Sequence, residues 1–165
     1  MLACDDEGLM SLRFDVSERE ASDHPILEES AKWLDVYFSG GVPDFTPSLK
    51  LKGTAFQLRV WDFLRSIPYG HTMTYGRIAQ ALSCGSAQAV GQAVGHNPIA
   101  IILPCHRVIG SDGSLTGYSG GIERKSTLLK IEGITTKKIT SPQSGRLYTF
   151  PSPRASREHN ACTAR

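Results

Sequence analysis

Ile99-Ala100-Ile101-Ile102-Leu103-Pro104-Cys105-His106-Arg107-Val108-Ile109 is the stretch on which the reading of this chain turns. Five apolar residues run into a proline, and a cysteine and a histidine follow at once. Proline fixes one backbone angle and donates no hydrogen bond, so regular structure must stop at Pro104. The apolar run is expected to be a strand, and a strand ending there presents the Cys105 sulfur at the rim of a buried sheet or core. A thiol becomes a strong nucleophile when it loses its proton, and its free pKa is about 8.5. His106 supplies a base for that proton, or a second hydrogen-bonding group in the same pocket. On residue type alone, a lone cysteine among apolar side chains is a packing residue.

Downstream, Gly110-Ser111-Asp112-Gly113 is a turn and Gly117-Tyr118-Ser119-Gly120-Gly121 a loop that exposes its backbone. Ile122 to Ile131 is an amphipathic helix, with Ile122, Leu128, Leu129 and Ile131 apolar and Gly133 closing it. Upstream, Asn97-Pro98 separates the run from two short helices. Thr74 caps the first, which carries Tyr75, Ile78, Ala79 and Leu82. Ser83-Cys84-Gly85 turns the chain, and Ser86 caps the second, Ala87 to Val94, with Gly95 as its stop. Two short helices about a glycine turn are the helix-turn-helix signal, which any helical hairpin shares. Before them, Thr54-Ala55-Phe56-Gln57 is a capping box, and Phe56, Val60, Phe63, Leu64 and Ile67 follow at helical spacing. Pro68-Tyr69-Gly70 then turns the chain.

Residues 1–50 read as a shortened α/β lobe. Leu9-Met10-Ser11-Leu12-Arg13-Phe14 is a strand candidate. Pro25 opens a helix carrying Ile26, Leu27, Ala31, Trp33, Leu34, Tyr37 and Phe38, and Gly40-Gly41 ends it. Val42 to Lys50, with Pro43 and Pro47, is an extended linker. One strand and one helix close no sheet by themselves. The lobe must therefore lean on the rest, or the natural chain begins earlier and Met1 lies inside a strand. Residues 51–133 form the denser domain, and the Lys-, Ser-, Thr- and Pro-rich residues 134–165 are expected to be disordered. The fold class is α+β: a truncated N-terminal lobe plus a mainly helical domain holding the helix-turn-helix and the Pro-Cys-His loop.

The 165 residues, 40% hydrophobic and 21% charged, suit one domain with a smaller lobe. A net charge of +2 announces no nucleic-acid binder, but a local basic face can do that work. Cys4, Cys84, Cys105 and Cys162 form no C-x-x-C pair. They suggest neither a disulfide framework nor a zinc knuckle, and reduced thiols in a cytoplasmic or, in a eukaryote, nuclear compartment fit best. The first residues lack the basic and apolar regions of a signal peptide. No apolar run reaches membrane-spanning length, so no membrane partner is expected.

Several segments now line up in order: Gly53-Thr54-x-Phe56-Gln57-x-x-Val60-Trp61, Ile67-Pro68-x-Gly70-x-x-x-Thr74-Tyr75, Ala89-Val90-Gly91, and Asn97-Pro98 through Pro104-Cys105-His106-Arg107-Val108-Ile109. Gly117-Tyr118-Ser119-Gly120-Gly121 and Lys125-x-x-Leu128-Leu129-x-x-Glu132-Gly133 complete the series. From Gly53 to Gly133 the chain closely resembles the O6-alkylguanine-DNA alkyltransferases, the methylated-DNA–protein-cysteine methyltransferases. Residues 1–50 match only loosely, as a shortened form of that family's first lobe. The resemblance implies a monomeric, single-turnover repair protein that needs no cofactor. Its partner is double-stranded DNA containing O6-alkylguanine, bound through the helix-turn-helix at the minor groove. The damaged base swings out of the stack, and its alkyl group passes irreversibly to the protein's cysteine. Some relatives carry zinc in the first lobe; the shortened lobe here lacks a clear ligand set, so no metal is expected.

The resemblance also assigns roles. Cys105 is the acceptor, His106 the base that takes its proton through a water, and Glu132 the carboxylate that orients the imidazole. A carboxylate at a helix C-terminus is electrostatically uncomfortable and calls for a cationic or hydrogen-bonded partner, which His106 or Arg107 would be. Tyr75 donates a hydrogen bond to the leaving guanine. The carbonyls of Cys105 and Val108 accept from the exocyclic amine. Tyr118 and Ser119 wall the base pocket, with the Ser119 N–H donating to O6, and Val94 adds to that pocket. Asn97 ties the recognition helix to the active-site loop. Ala87, Gln88, Ala89 and Gly91 on that helix, together with Arg107, are the implied DNA contacts. Arg59, Arg65, Arg77, Arg124 and Lys125 are further candidates for phosphate.

At one place the chain departs from the family. The residue before Ala89-Val90-Gly91 is normally an arginine that fills the gap left by the flipped nucleotide; here it is Gln88. Glutamine can fill the gap and hydrogen-bond the orphaned base without bringing charge. Flipping costs a few kcal/mol, so weaker capture of lesions in duplex DNA is expected. The competing function is a helix-turn-helix protein that binds alkylated DNA without repairing it, but this chain keeps the cysteine. A thiol hydrolase would need an oxyanion site that no other motif supplies.

Overall fold

The structure, a computed structural model, describes residues 1–14, 23–115 and 117–135. Strands β1 (Leu2–Asp5) and β2 (Gly8–Leu12) make an antiparallel hairpin. Asp5 Oδ1 closes its turn by accepting the Glu7 and Gly8 N–H groups. The sequence predicts β2 but not β1, because Leu2-Ala3-Cys4-Asp5 is too short to show a period. The register slips between Ala3 and Cys4. β2 also gains partners outside the hairpin: Leu9 bridges Leu49 and Leu12 bridges Ile99, both in parallel. The Leu12 N–H donates to the Pro98 carbonyl and the Ala100 N–H to the Leu12 carbonyl, each at 3.0 Å. The small lobe is thus completed by the linker and by the segment that leads to Cys105.

Helix α1 (Pro25–Phe38) starts with proline in its first turn, where no N–H is needed, and the His24 side chain accepts from the Ile26 N–H. It buries Trp33 and Tyr37. In α2 (Ala55–Arg65) both arms of the Thr54–Gln57 capping box are made, and Val60, Trp61 and Leu64 enter the core. Gly53 lies against the Trp61 ring so closely that a Cβ would sit 2.8 Å from it. The Trp61 Nε1–H donates to the Ala93 carbonyl at 2.8 Å, which fastens α2 to the second helix of the hairpin that follows.

Strand β3 (Met73–Thr74) leads into α3 (Tyr75–Ala81), and a turn with Ser83 at φ 53° leads to α4 (Ala87–Gly95). Thr74 and Ser86 cap these helices through their hydroxyls, as read from the sequence. β3 pairs in parallel with β4 (Val108–Ile109), and Cys105–Arg107 between Pro104 and β4 is a single 3-10 turn. Helix α5 (Ile122–Ile131) packs on that turn, burying Lys125, Leu128 and Leu129; Ile122 is exposed rather than part of its apolar face.

The expected strand over Ile99–Leu103 is not formed. After the single bridge at Ile99 the chain curls: the Ile102 N–H bonds the Ala100 carbonyl, the Leu103 N–H bonds the Ile99 carbonyl, and Ile101 takes φ 69°. A β-branched residue in the left-handed region costs about 1–2 kcal/mol. Burial of Ile99, Ile101, Ile102 and Leu103 opposes that cost. A short apolar run signals burial, and periodicity alone does not separate a strand from a buried turn.

Cys4 and Cys105 are free thiols. The tail expected to be disordered lies, from residue 136 onward, outside the described residues. No helix among the described residues is long and apolar enough to cross a membrane.

Candidate active site

The site is built around a carboxylate that the end of a helix turns inward. α5 stops at Ile131, and Gly133 takes φ 76°. The Gly133 N–H bonds the Lys130 carbonyl and the Ile134 N–H bonds the Leu129 carbonyl, the pattern of a glycine-terminated helix. Buried Ile134 anchors the reversal and leaves Glu132 5% exposed. Its Oε1 receives His106 Nε2 at 2.7 Å, the Tyr37 hydroxyl at 2.9 Å and Arg107 Nη2 at 3.0 Å. Its Oε2 receives Arg107 Nε at 2.9 Å and the Gly70 N–H at 3.0 Å.

Burial by itself would raise the Glu132 pKa. The hydrogen bonds and charges of His106 and Arg107 outweigh it and hold the carboxyl down at about 2. A fully ionised carboxylate only accepts, so the proton between it and His106 resides on Nε2. That leaves Nδ1 as the unprotonated nitrogen, and it is buried with no hydrogen-bond partner among the described residues. Burial also lowers the His106 pKa, which keeps the imidazole neutral. The result is a buried, neutral base with one lone pair that no described residue engages.

Cys105, at the start of the 3-10 turn, is 3% exposed. Burial raises its pKa, against the opposing influence of the Asn97 side chain, the Lys125 charge and nearby N–H groups. Burial thus favours the thiol form of Cys105 over the thiolate. Asn97 is fixed at both ends of its amide: Nδ2 donates to the Leu103 carbonyl at 2.8 Å, and Oδ1 accepts from the Ile99 N–H at 2.9 Å. It ties the end of α4 to the curl that carries the cysteine, and with Gly95, Ser119 and Gly120 it lines a cavity of about 360 Å³.

Tyr118 faces the sulfur, with its pKa raised by burial and by Cys105. Half-buried Tyr75, the first residue of α3, also senses the Cys105 charge, and its hydroxyl lies 3.0 Å from where a Cβ on Gly117 would sit. Ser119 is exposed on the same loop. Lys125 is fully buried; burial lowers its pKa to about 8, and its Nζ donates to the Val108 carbonyl at 2.5 Å. The carbonyl expected to face a base thus already holds one donor.

Two expectations need correction here. Arg107 does not face DNA: it is 9% exposed, bound to Glu132, and donates Nη1 to the Ile67 carbonyl at 2.6 Å. Lys125 is likewise interior rather than a phosphate contact. Both charges are drawn inward by acceptors that the sequence places far away. On α4, Ala87 and Gln88 face outward and Gly91 is half-exposed, whereas Ala89 is 7% exposed and turns to the core, so its side chain is not a surface contact. Val94 is also on the packed face. Arg59, Arg65, Arg77 and Arg124 remain exposed.

The sequence reading missed Tyr37, the Gly70 N–H and the interior role of Lys125. Helical spacing marked Tyr37 as a core residue, but no one-dimensional signal pairs it with a carboxylate 95 positions later. Among the described residues no cluster of His, Cys, Asp and Glu is placed to hold a metal ion.

A helical hairpin packed with a buried thiol, an imidazole and an ionised carboxylate defines a class of proteins arranged for thiol chemistry. The family described as 6-O-methylguanine DNA methyltransferase, DNA binding domain, matches residues 55–134. The methylated-DNA–protein-cysteine methyltransferase of Methanosarcina acetivorans is 44% identical over 141 residues, spanning 81% of this chain and 90% of that protein. The chain therefore belongs to the methylated-DNA–protein-cysteine methyltransferase family. The Mycobacterium tuberculosis methyltransferase is 58% identical over 100 residues, covering 60% of this chain and 61% of its own length. The crystal structure of Mycobacterium tuberculosis OGT in complex with DNA superposes with a TM-score of 0.70 at 48% identity, over 79% of this chain and 84% of that one.

Proposed function

We propose that this protein repairs DNA by moving an alkyl group from guanine O6 onto Cys105, once per molecule. The observation that carries the reading is the open Nδ1 of His106, made basic by its bond to Glu132 and buried beside Cys105. The acceptor starts as a thiol. His106 takes the thiol proton at Nδ1, through a water. The sulfur then attacks the alkyl carbon in line with the C–O6 bond; the S–C bond forms as the C–O bond breaks, and its electron pair passes to the guanine. Positive charge arising on His106 meets a carboxylate that is already ionised, so no new buried anion is needed. Lys125 favours the thiolate by charge. Tyr75 donates to the departing base, and the Ser119 N–H donates to O6. The thioether offers no good leaving group, so the protein does not turn over.

The outward stripe of α4, carrying Ala87, Gln88 and Gly91, approaches the minor groove, where small residues permit close contact. The partner is duplex DNA containing O6-alkylguanine, met by a monomer in the compartment that holds the DNA, cytoplasmic or nuclear. Residues 51–133 bind the DNA and carry the acceptor, while residues 1–50 support them. The test is peptide mass spectrometry after mixing the full chain with duplex DNA containing one O6-methylguanine. The Cys105 peptide gains one methyl mass, and Cys105→Ser gains none there. DNA that is bound with no mass gained overturns the reading in favour of a binding protein.

A further inference from the structure

Tyr37 lies outside the matched residues 55–134, on a helix of the first lobe, yet its hydroxyl ends inside the site. It is fully buried, donates to Glu132 Oε1 at 2.9 Å and stands 3.3 Å from His106 Nε2. The same carboxylate oxygen receives Nε2 at 2.7 Å. The ring is clamped: it stacks on Trp33 at 5.5 Å and meets Tyr69 and His106 edge-on at 6.1 and 6.2 Å. We propose that Tyr37 is a positioning residue for alkyl transfer, holding the oxygen that binds the His106 Nε2 proton and so setting both the aim and the basicity of His106 Nδ1. The inference rests on the reading of Cys105 as acceptor and His106 as its base.

The chemistry has a definite sign. Each donor on a carboxylate drains electron density from it and weakens its pull on any other proton it holds. With the phenol in place, Glu132 draws less on the Nε2 proton, and Nδ1 is a weaker base with a lower pKa. Burial and the neighbouring Glu132 keep Tyr37 protonated, so it is a permanent donor. The other charged groups acting on the imidazole are Glu132 itself, just past the end of α5, Lys125 from α5, and Arg107 from the 3-10 turn; Cys105 precedes the histidine in that turn. Tyr69 sits behind Tyr37, with its hydroxyl committed to the Ile131 carbonyl. Removing the Tyr37 hydroxyl leaves all of these in place, so the change reports the hydroxyl's contacts with Glu132 Oε1 and His106 Nε2 alone. A further consequence is that the chemistry of residues 55–134 depends on the docking of a lobe outside that segment.

The experiment compares the full-length protein with Tyr37→Phe, which keeps the ring stack, across the neutral pH range. Two rates are followed on the Cys105 peptide by mass spectrometry: methyl transfer from duplex O6-methylguanine DNA, and carbamidomethylation by iodoacetamide without DNA. The acid limb of both profiles moves to higher pH by about half a unit or more, and transfer at low pH slows several-fold. Site-specific 3-fluorotyrosine at position 37, a stronger donor that fits the same space, moves both limbs the opposite way. In a Glu132→Gln background Tyr37→Phe causes no further shift. An unmoved acid limb with lowered stability or rate overturns the proposal and makes Tyr37 a packing residue. If Tyr37→Phe does not fold, an unmoved limb with fluorotyrosine overturns it equally. If the wild-type protein takes no methyl group but the iodoacetamide limbs shift as described, the repair reading falls and the role of Tyr37 stands.

Discussion

Glu132→Gln replaces a carboxylate with a neutral amide of the same shape, which is nearly what protonation does. The cost of protonating Glu132 in the folded protein is therefore a direct measure of the cost of the substitution. The carboxyl is held at about 2 rather than 4.5. At neutral pH that difference is worth about 3 kcal/mol. An independent route gives the same size: the variant leaves the Arg107 guanidinium, 9% exposed, without its counter-charge. One-sided loss of a buried pair costs about 3–5 kcal/mol. Because the folded-state pKa lies below the unfolded one, this stability is complete above the unfolded value and drains away as pH falls toward 2. Urea denaturation at neutral pH should show the variant less stable by about 3 kcal/mol, a large share of the roughly 5–15 kcal/mol of an ordinary domain. The gap should close as the pH is lowered through the carboxylate range. A variant within about 0.5 kcal/mol of the parent at neutral pH, the usual size of a surface change, refutes the reasoning, and so does a gap that persists in acid.

Two further substitutions probe the loop and the recognition helix. Gly117→Ala places a methyl group 3.0 Å from the Tyr75 hydroxyl at a residue with φ 76°. The strain and the displaced phenol should slow alkyl transfer about tenfold, with the far-ultraviolet circular dichroism spectrum retained; single-turnover transfer at the parent rate would count against Tyr75 as the donor. Gln88→Arg adds a cation to the exposed face of α4 at the position that stacks into duplex DNA in the family. It should raise the transfer rate from duplex O6-methylguanine several-fold, because flipping costs a few kcal/mol, and leave the rate with the free modified base unchanged. An unchanged duplex rate removes the role given to that residue.

Much of the helical domain was legible in one dimension. The caps at Thr54, Thr74 and Ser86 and the glycine after α5 act within four residues, and each is where its side chain predicts. Legible too is the electrostatic discomfort of a carboxylate at the end of α5, which calls for His106 or Arg107 as a partner; the structure supplies both. The run Ile99–Leu103 was read correctly as buried and wrongly as extended, because apolar composition records burial and not the path of the backbone. Lys125, and Arg107 in its reading as a DNA contact, are expected at the surface because charged residues are almost never buried unless paired, and their acceptors at Val108 and Glu132 lie 17 and 25 positions away.

By itself the sequence determined the caps, the turns and the adjacency of Cys105 and His106, all of which act between residues within a few positions. Only the tertiary structure decided which nitrogen of His106 has no partner among the described residues, that burial favours the Cys105 thiol, and that a tyrosine from the first lobe reaches Glu132. Those properties belong to a buried interior in which charges and hydrogen bonds from distant segments meet. The strength of each such interaction depends on the exclusion of solvent, and that exists only once the chain has closed around the site.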